Sequence, residues 1–258
     1  MNIKKVLALT CVSFFLFACS TKGIDKELET TKGPEAYFAS LQEATKDMPQ
    51  EETDAFNWAV SDITTLEALN QRYPNQSPRH IIRTESKQIR EKAPARIAEL
   101  EALKPKYDAI LTDLKKIEAS NVSFHLAKSF HGLQPKVEAL IANRSSLPVS
   151  SLRWYAELYL DDGQSPVATY RVSDDYSRSS GLPPGAEAKR LFTIGFVTGD
   201  ANWITLEVRN AKKHRVTLTP ILETVADYGN RAYLQGAPYQ SLENWKNALA
   251  TAEKYSKY

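Results

Sequence analysis

One change of rhythm limits what this chain can become. Up to about residue 119 the apolar side chains recur every three or four positions. From Asn121 onward they recur every second one. A 3.6 period describes a helix buried along one stripe, and a period of two describes a strand with one buried face. The chain is therefore read as α+β, helical first and β-rich second, rather than as an alternating α/β fold.

The helical part begins near Pro34, a residue suited to a first helical position. Phe38, Leu41, Thr45 and Met48 form a modest face, and Pro49 opens a second helix. Phe56, Ala59, Val60, Ile63, Leu66 and Leu69 make a clear stripe there. Tyr73-Pro74-Asn75-Gln76-Ser77-Pro78 is a strong break. A longer helical pattern follows over 79–119. Pro94 and Pro105 are expected to divide or kink it into a hairpin or small bundle, since each removes a hydrogen bond and crowds the preceding turn.

The β-rich part reads as seven strands, over 122–127, 136–143, 152–160, 166–173, 192–196, 204–208 and 216–218. Turn signals such as Asp161-Asp162-Gly163 and Gly199-Asp200 separate them. Alternation with one apolar face per strand points to a seven-stranded antiparallel β-sandwich of immunoglobulin-like size. Pro220 has no N–H to donate and belongs at an edge or a bulge. Ser241 is expected to cap a final helix that packs Trp245 on the sandwich. The expected organisation is a leader over 1–18, a polar tether over 19–33, a helical region over 34–119, and a β-sandwich domain with its C-terminal helix over 120–258.

The first nineteen residues carry an address. Lys4 and Lys5 precede an apolar run from Val6 to Phe17. That run is shorter than the roughly 20 residues a membrane span needs, but it suits an export signal. Leu16-Phe17-Ala18-Cys19 resembles the lipobox of bacterial lipoproteins. The resemblance implies cleavage before Cys19, a diacylglyceryl group on its sulfur and acylation of the new amino terminus. Two or three chains on one residue anchor a protein durably, where a single chain holds only marginally. Ser20, which stands where aspartate commonly signals inner-membrane retention in Gram-negative lipoproteins, leans the expectation toward the outer membrane, facing the periplasm or surface. Ile24-Asp25, followed by Phe38, Ser40-Leu41, Phe56, Ala59-Val60 and Ile63, is similar to a family of small bacterial lipoproteins of unknown function. That likeness covers about 40 residues, implies envelope residence and supplies no activity.

Charge and cysteine content narrow the function classes. Removing residues 1–18 takes away two lysines and no acids, leaving 31 basic against 31 acidic side chains. A balanced chain has no global attraction to nucleic acid. The cysteines are Cys11, lost with the leader, and Cys19, so the mature chain can form no internal disulfide. The expected prosthetic group is the lipid on Cys19, with no other cofactor.

No catalytic or metal-binding constellation stands out. His125 and His131 would share a strand face, too far apart to chelate one ion unaided. Asp161-Asp162 and Asp174-Asp175 pair carboxylates, but at strand ends, where aspartate is favoured for its backbone hydrogen bonds. The best candidate for recognition is the 225–240 loop, with Asp227, Tyr228, Asn230, Arg231 and Tyr233 as candidate binding residues. Tyrosine, arginine and asparagine anchor interfaces and stack on sugars. The alternative is that the loop tyrosines pack down to seat the last helix. The expected role is non-enzymatic: binding, assembly or structural support in the envelope, with the membrane and an envelope protein or glycan as partners. An envelope hydrolase with dispersed loop carboxylates is the rival expectation.

Overall fold

A computed structural model describes residues 22–196 and 199–258; Cys19 and the leader lie outside them. The helices are α1 (Pro34–Lys46), α2 (Gln50–Ala59), α3 (Leu66–Arg72), α4 (Pro78–Leu114), α5 (Leu206–Asn210) and α6 (Tyr239–Tyr255). The strands are β1 (Ile117–Ser129), β2 (Gly132–Asn143), β3 (Ser151–Leu160), β4 (Ala168–Asp175), β5 (Glu187–Thr193) and β6 (His214–Ala226). They belong to two compact units. The helical unit holds the chain through Arg96 together with Asn244–Tyr258, and the β-rich unit is Ile97–Glu243. The boundary therefore falls inside α4 and again inside α6, not at residue 120.

The helical unit is organised around a buried cluster that includes Ile24, Leu28, Phe56, Leu69, Ile81 and Ile82. Two of these lie in the expected tether. Residues 23–30 are packed instead: Ile24 is 4% exposed and Leu28 is fully buried. Asp25 takes a two-pronged bond from Arg79 at 2.6 and 3.1 Å, and Thr30 Oγ1 donates to Asn70 Oδ1 at 2.9 Å. Ser40 Oγ accepts the Glu29 N–H at 2.9 Å, which ties the segment to α1. A short apolar pair in a polar stretch was enough to dock it.

Pro34 opens α1 as expected, after Gly33 at φ 93°, a backbone region that glycine enters without a Cβ clash. The buried face of α1 is Ser40 and Ala44, while Phe38 is 63% exposed, so the expected stripe is rotated. Pro49 precedes α2, and Phe56 and Ala59 are buried. The stripe read from Phe56 to Leu69 is broken at Val60, and α3 restarts with Thr65 Oγ1 accepting the Ala68 N–H at 3.2 Å.

The 79–119 pattern is one helix of 37 residues ending at Leu114, not a hairpin. Pro94 and Pro105 lie inside it. Both are exposed, as are Arg90 and Glu101, whose carbonyls lose their partners. A carbonyl at an exposed helix position can turn to water, so neither proline has to force a break.

In the β-rich unit, two three-stranded antiparallel sheets, ordered β1-β2-β5 and β4-β3-β6, share one core. Along β3, Leu152, Trp154, Ala156, Leu158 and Leu160 point inward as their alternation requires. Ile141, Tyr176 and Trp203 complete the centre. Six strands stand among the described residues where seven were expected. The 204–208 stretch is α5 preceded by a single helical turn at Ala201–Trp203. Asp200 Oδ1 accepts the Asn202 N–H at 2.9 Å and Thr205 Oγ1 accepts that of Val208 at 3.2 Å. These side-chain caps satisfy amides that a strand would have offered to a neighbour. Val208 is buried and Leu206 is 67% exposed, so the apparent alternation carries no sheet face.

Pro220 sits on β6, an edge strand, beside a register irregularity opposite Ser151–Arg153. His131 lies in the β1–β2 turn rather than on a strand, while His125 is exposed on β1. The last helix starts at Tyr239, with the Leu242 N–H bonded to Pro238 O at 2.7 Å, so Ser241 lies within its first turn. Trp245 belongs to the helical unit and not to the sheets.

Candidate functional site

The loop singled out by its tyrosines resolves into a tight turn and an anchor. Asn230 donates its N–H to Asp227 O at 2.9 Å and holds φ 59°, a left-handed conformation that asparagine tolerates. Asp227 Oδ1 accepts the Arg231 N–H at 2.9 Å and its second oxygen meets the Arg231 guanidinium at 3.2 Å. Those bonds, the backbone one foremost, hold the Asp227 carboxyl below the usual aspartate range. Asp227 and Arg231 thus fold the turn around each other. Tyr233 faces the body: its hydroxyl donates to Pro148 O at 2.7 Å, and burial pushes its pKa up.

Three of the five predicted residues remain at an open surface, Arg231 among them, its side chain 79% exposed even while it pairs with Asp227. Tyr228 is 53% exposed, and its ring lies where a Cβ on Gly181 would come within 2.2 Å of it. Gly181 is at φ 79°, so both the turn and the ring require glycine there. Asn230 is exposed and lines two adjoining hollows. The larger, of about 680 Å³, runs past Ser151, Arg153, Ser173, Thr224 and Asn230. The smaller, of about 260 Å³, is bounded by Ser150, Ser180, Gly181, Tyr228 and Asn230. Ser177 lines both. Serine and threonine hydroxyls and the Asn230 amide stand among apolar surface from Leu152, Ala226 and Ala232, with Arg153 and Asp175 as flanking charges. This chemistry suits a polar partner held by many modest hydrogen bonds.

Asp174 closes the floor of the groove. It is fully buried and accepts from the Tyr176 hydroxyl at 2.6 Å and from Trp154 Nε1 at 3.2 Å. Arg190 Nε lies 2.5 Å from its other oxygen but off a hydrogen-bond direction, so that contact is held by charge. The Arg190 guanidinium also stacks 4.7 Å from the Tyr176 ring centre. Burial is the largest influence on Asp174 and raises its pKa, against the lowering effect of Tyr176, Arg190 and Trp154. Asp175, pointing outward, accepts the Ser177 N–H at 2.8 Å and is held below the usual range by its bonds to Ser177. The pair read as turn aspartates is therefore split between a buried clamp and an exposed cap.

Sequence reasoning missed Asp174, though a signal existed. It shares strand parity with Ala168 and Val172, both buried, and so had to point inward. Ser151, Arg153 and Thr224 carried no comparable mark, because only the pairing of β3 with β4 and β6 brings them to one end. No protein-family model, curated protein or solved structure matches this chain.

Proposed function

We propose that this chain is an envelope lipoprotein, anchored by acyl groups on Cys19, whose folded body acts by binding a partner and not by catalysis. The observation that carries the anchor is Leu16-Phe17-Ala18-Cys19 at the end of a short apolar run behind Lys4 and Lys5. Ser20 favours the outer membrane, with the body facing the periplasm or surface. Binding is supported by the polar groove that Asn230 and Tyr228 border. We also read the two sheets around their common core as the layers of a β-sandwich, supported by the inward residues of β3 and β2. The rival reading is an envelope hydrolase with a site built from dispersed loop carboxylates; of the carboxylates at the groove, Asp175 is bonded to Ser177. Asp174 is already engaged by Trp154, Tyr176 and Arg190.

The anchor is tested by Cys19→Ser, which should release the protein from membranes and abolish labelling by a clickable palmitate. Unchanged labelling would remove Cys19 as the attachment point. Binding is tested by placing a photoreactive residue at Tyr228 and crosslinking in intact envelopes, with and without Asn230→Trp to fill the groove. A discrete crosslinked partner that disappears in the Trp variant is expected. An identical crosslinking pattern in both would exclude the groove.

A further inference from the structure

Within the helical unit lies a second concavity, of about 420 Å³, which neither the leader nor the loop accounts for. Its size falls within the small-ligand range of about 300–1,000 Å³. One wall is a face of α4 at helical spacing: Glu85, Gln88, Ile89 and Lys92. Trp58 at the end of α2 and Trp245 on α6 supply aromatic surface, and both are half-buried. Trp58 is steadied by the Tyr255 ring, with centroids 5.4 Å apart and planes tilted by 52°.

The charges in the cleft are largely matched to each other. Arg72 reaches Asp62 at 2.9 Å and buried Glu85 at 2.5 Å, and the Tyr73 hydroxyl donates to Glu85 as well. Arg72 and Lys92 against Asp62 and Glu85 leave the lining with no net charge. Such a site has no electrostatic reason to select an anion or a cation. It offers flat aromatic faces beside planar polar groups: a guanidinium and carboxylates held in place by their own pairing, and the Gln88 amide. Trp58, Ile89 and Trp245 give the cleft its apolar surface, and polar side chains, Asp62, Arg72, Glu85, Gln88 and Lys92 among them, share the lining.

We propose that this cleft binds a neutral saccharide. A pyranose presents apolar C–H groups on one face and adjacent hydroxyls at its rim. The tryptophans match the first and the planar polar groups the second. The site shares no residue with the groove of the β-rich unit and stands whether or not that groove binds anything.

The chain has four tryptophans. Two line the cleft, while Trp154 and Trp203 are fully buried in the β-rich unit. Full-length protein labelled with 5-fluorotryptophan therefore reports the cleft and carries its own controls. Chitotriose, cellotriose and maltotriose are titrated separately, followed by vesicles of phosphatidylglycerol. The expected result is saturable movement of the Trp58 and Trp245 signals with at least one trisaccharide, and none at Trp154 or Trp203. Trp245→Ala should weaken that binding by about tenfold or more. No movement with any sugar at tens of millimolar, movement with vesicles alone, or undiminished binding in a folded Trp245→Ala variant would each overturn the proposal. The wild-type titration decides the matter even if the variant does not fold.

Discussion

Replacing Asp174 by alanine is the sharpest test of how the β-rich unit is held together. The substitution leaves the buried Trp154 Nε1 and Tyr176 hydroxyl without their acceptor, and strands Arg190, whose side chain is 31% exposed. A buried donor left unsatisfied costs about 1–3 kcal/mol, and breaking a buried ion pair from one side costs about 3–5 kcal/mol. Arg190 can turn partly to water, so the total should be about 3–5 kcal/mol. At about 2–4 °C per kcal/mol for a chain of this size, the β-rich unit should melt about 6–20 °C lower. Because two units can unfold separately, 5-fluorotryptophan signals at Trp154 and Trp203 should follow the transition. Asp174→Asn keeps an acceptor for both donors and should lose less. Its pH dependence adds a second constraint. Burial raises the Asp174 pKa in the fold. Its contribution to stability is therefore greatest below the ordinary aspartate value of about 3.9 and declines as pH rises through the folded value. The gap between wild type and Asp174→Asn should narrow accordingly. Adding Arg190→Met to Asp174→Ala should cost less than the two single effects together. An alanine variant within about 1 kcal/mol of wild type would refute the network as the keystone of this end of the sheet.

Leu28→Ala should destabilise the helical unit by about 2–5 kcal/mol, as for other fully buried leucines, and the Trp58 and Trp245 signals should report it; no loss would show that residues 23–30 are not docked. Asp113 is held down to a pKa of about 2 by Lys116 and by the Ser146 hydroxyl and N–H. The stability it contributes should be complete above about pH 4 and disappear as pH falls through 2. Solvent screening limits that contribution, so Asp113→Asn should lose about 1 kcal/mol near neutral pH and progressively less as pH falls through 2; equal acid unfolding curves would exclude the role.

The order of helical and β-rich parts was legible because burial imposes period on composition. Trp154 and its inward neighbours were readable for the same reason, as was Pro220 at an edge. What escaped were features that depend on partners distant along the chain. Residues 23–30 look polar, yet two apolar side chains and an Asp25–Arg79 pair 54 residues apart dock them. The alternation at Ile204, Leu206 and Val208 is genuine, but side-chain caps from Asp200 and Thr205 overrode it. Pro94 and Pro105 predicted a break that their exposed positions on the helix made unnecessary. Of the candidate loop, Tyr228, Asn230 and Arg231 remain at an open surface. Asp227 and Arg231 also hold the turn together and Tyr233 anchors it to the body, because a residue type suited to recognition is equally suited to local hydrogen bonding.

The docked segment near Ile24 changes how the molecule would search for a partner. Between Cys19 and the first packed residue, Gly23, stand only three residues. Fully extended, that link reaches about 14 Å, where a tether running to residue 33 would reach about 50 Å. With acyl chains on Cys19, the helical unit would ride close to the lipid headgroups. Diffusion would then be confined to two dimensions, and targets embedded in the same leaflet would be met at a local concentration far above their average in the compartment. Partners held farther from the membrane than this leash and the unit's own height together would be out of reach of the helical unit, whatever their affinity.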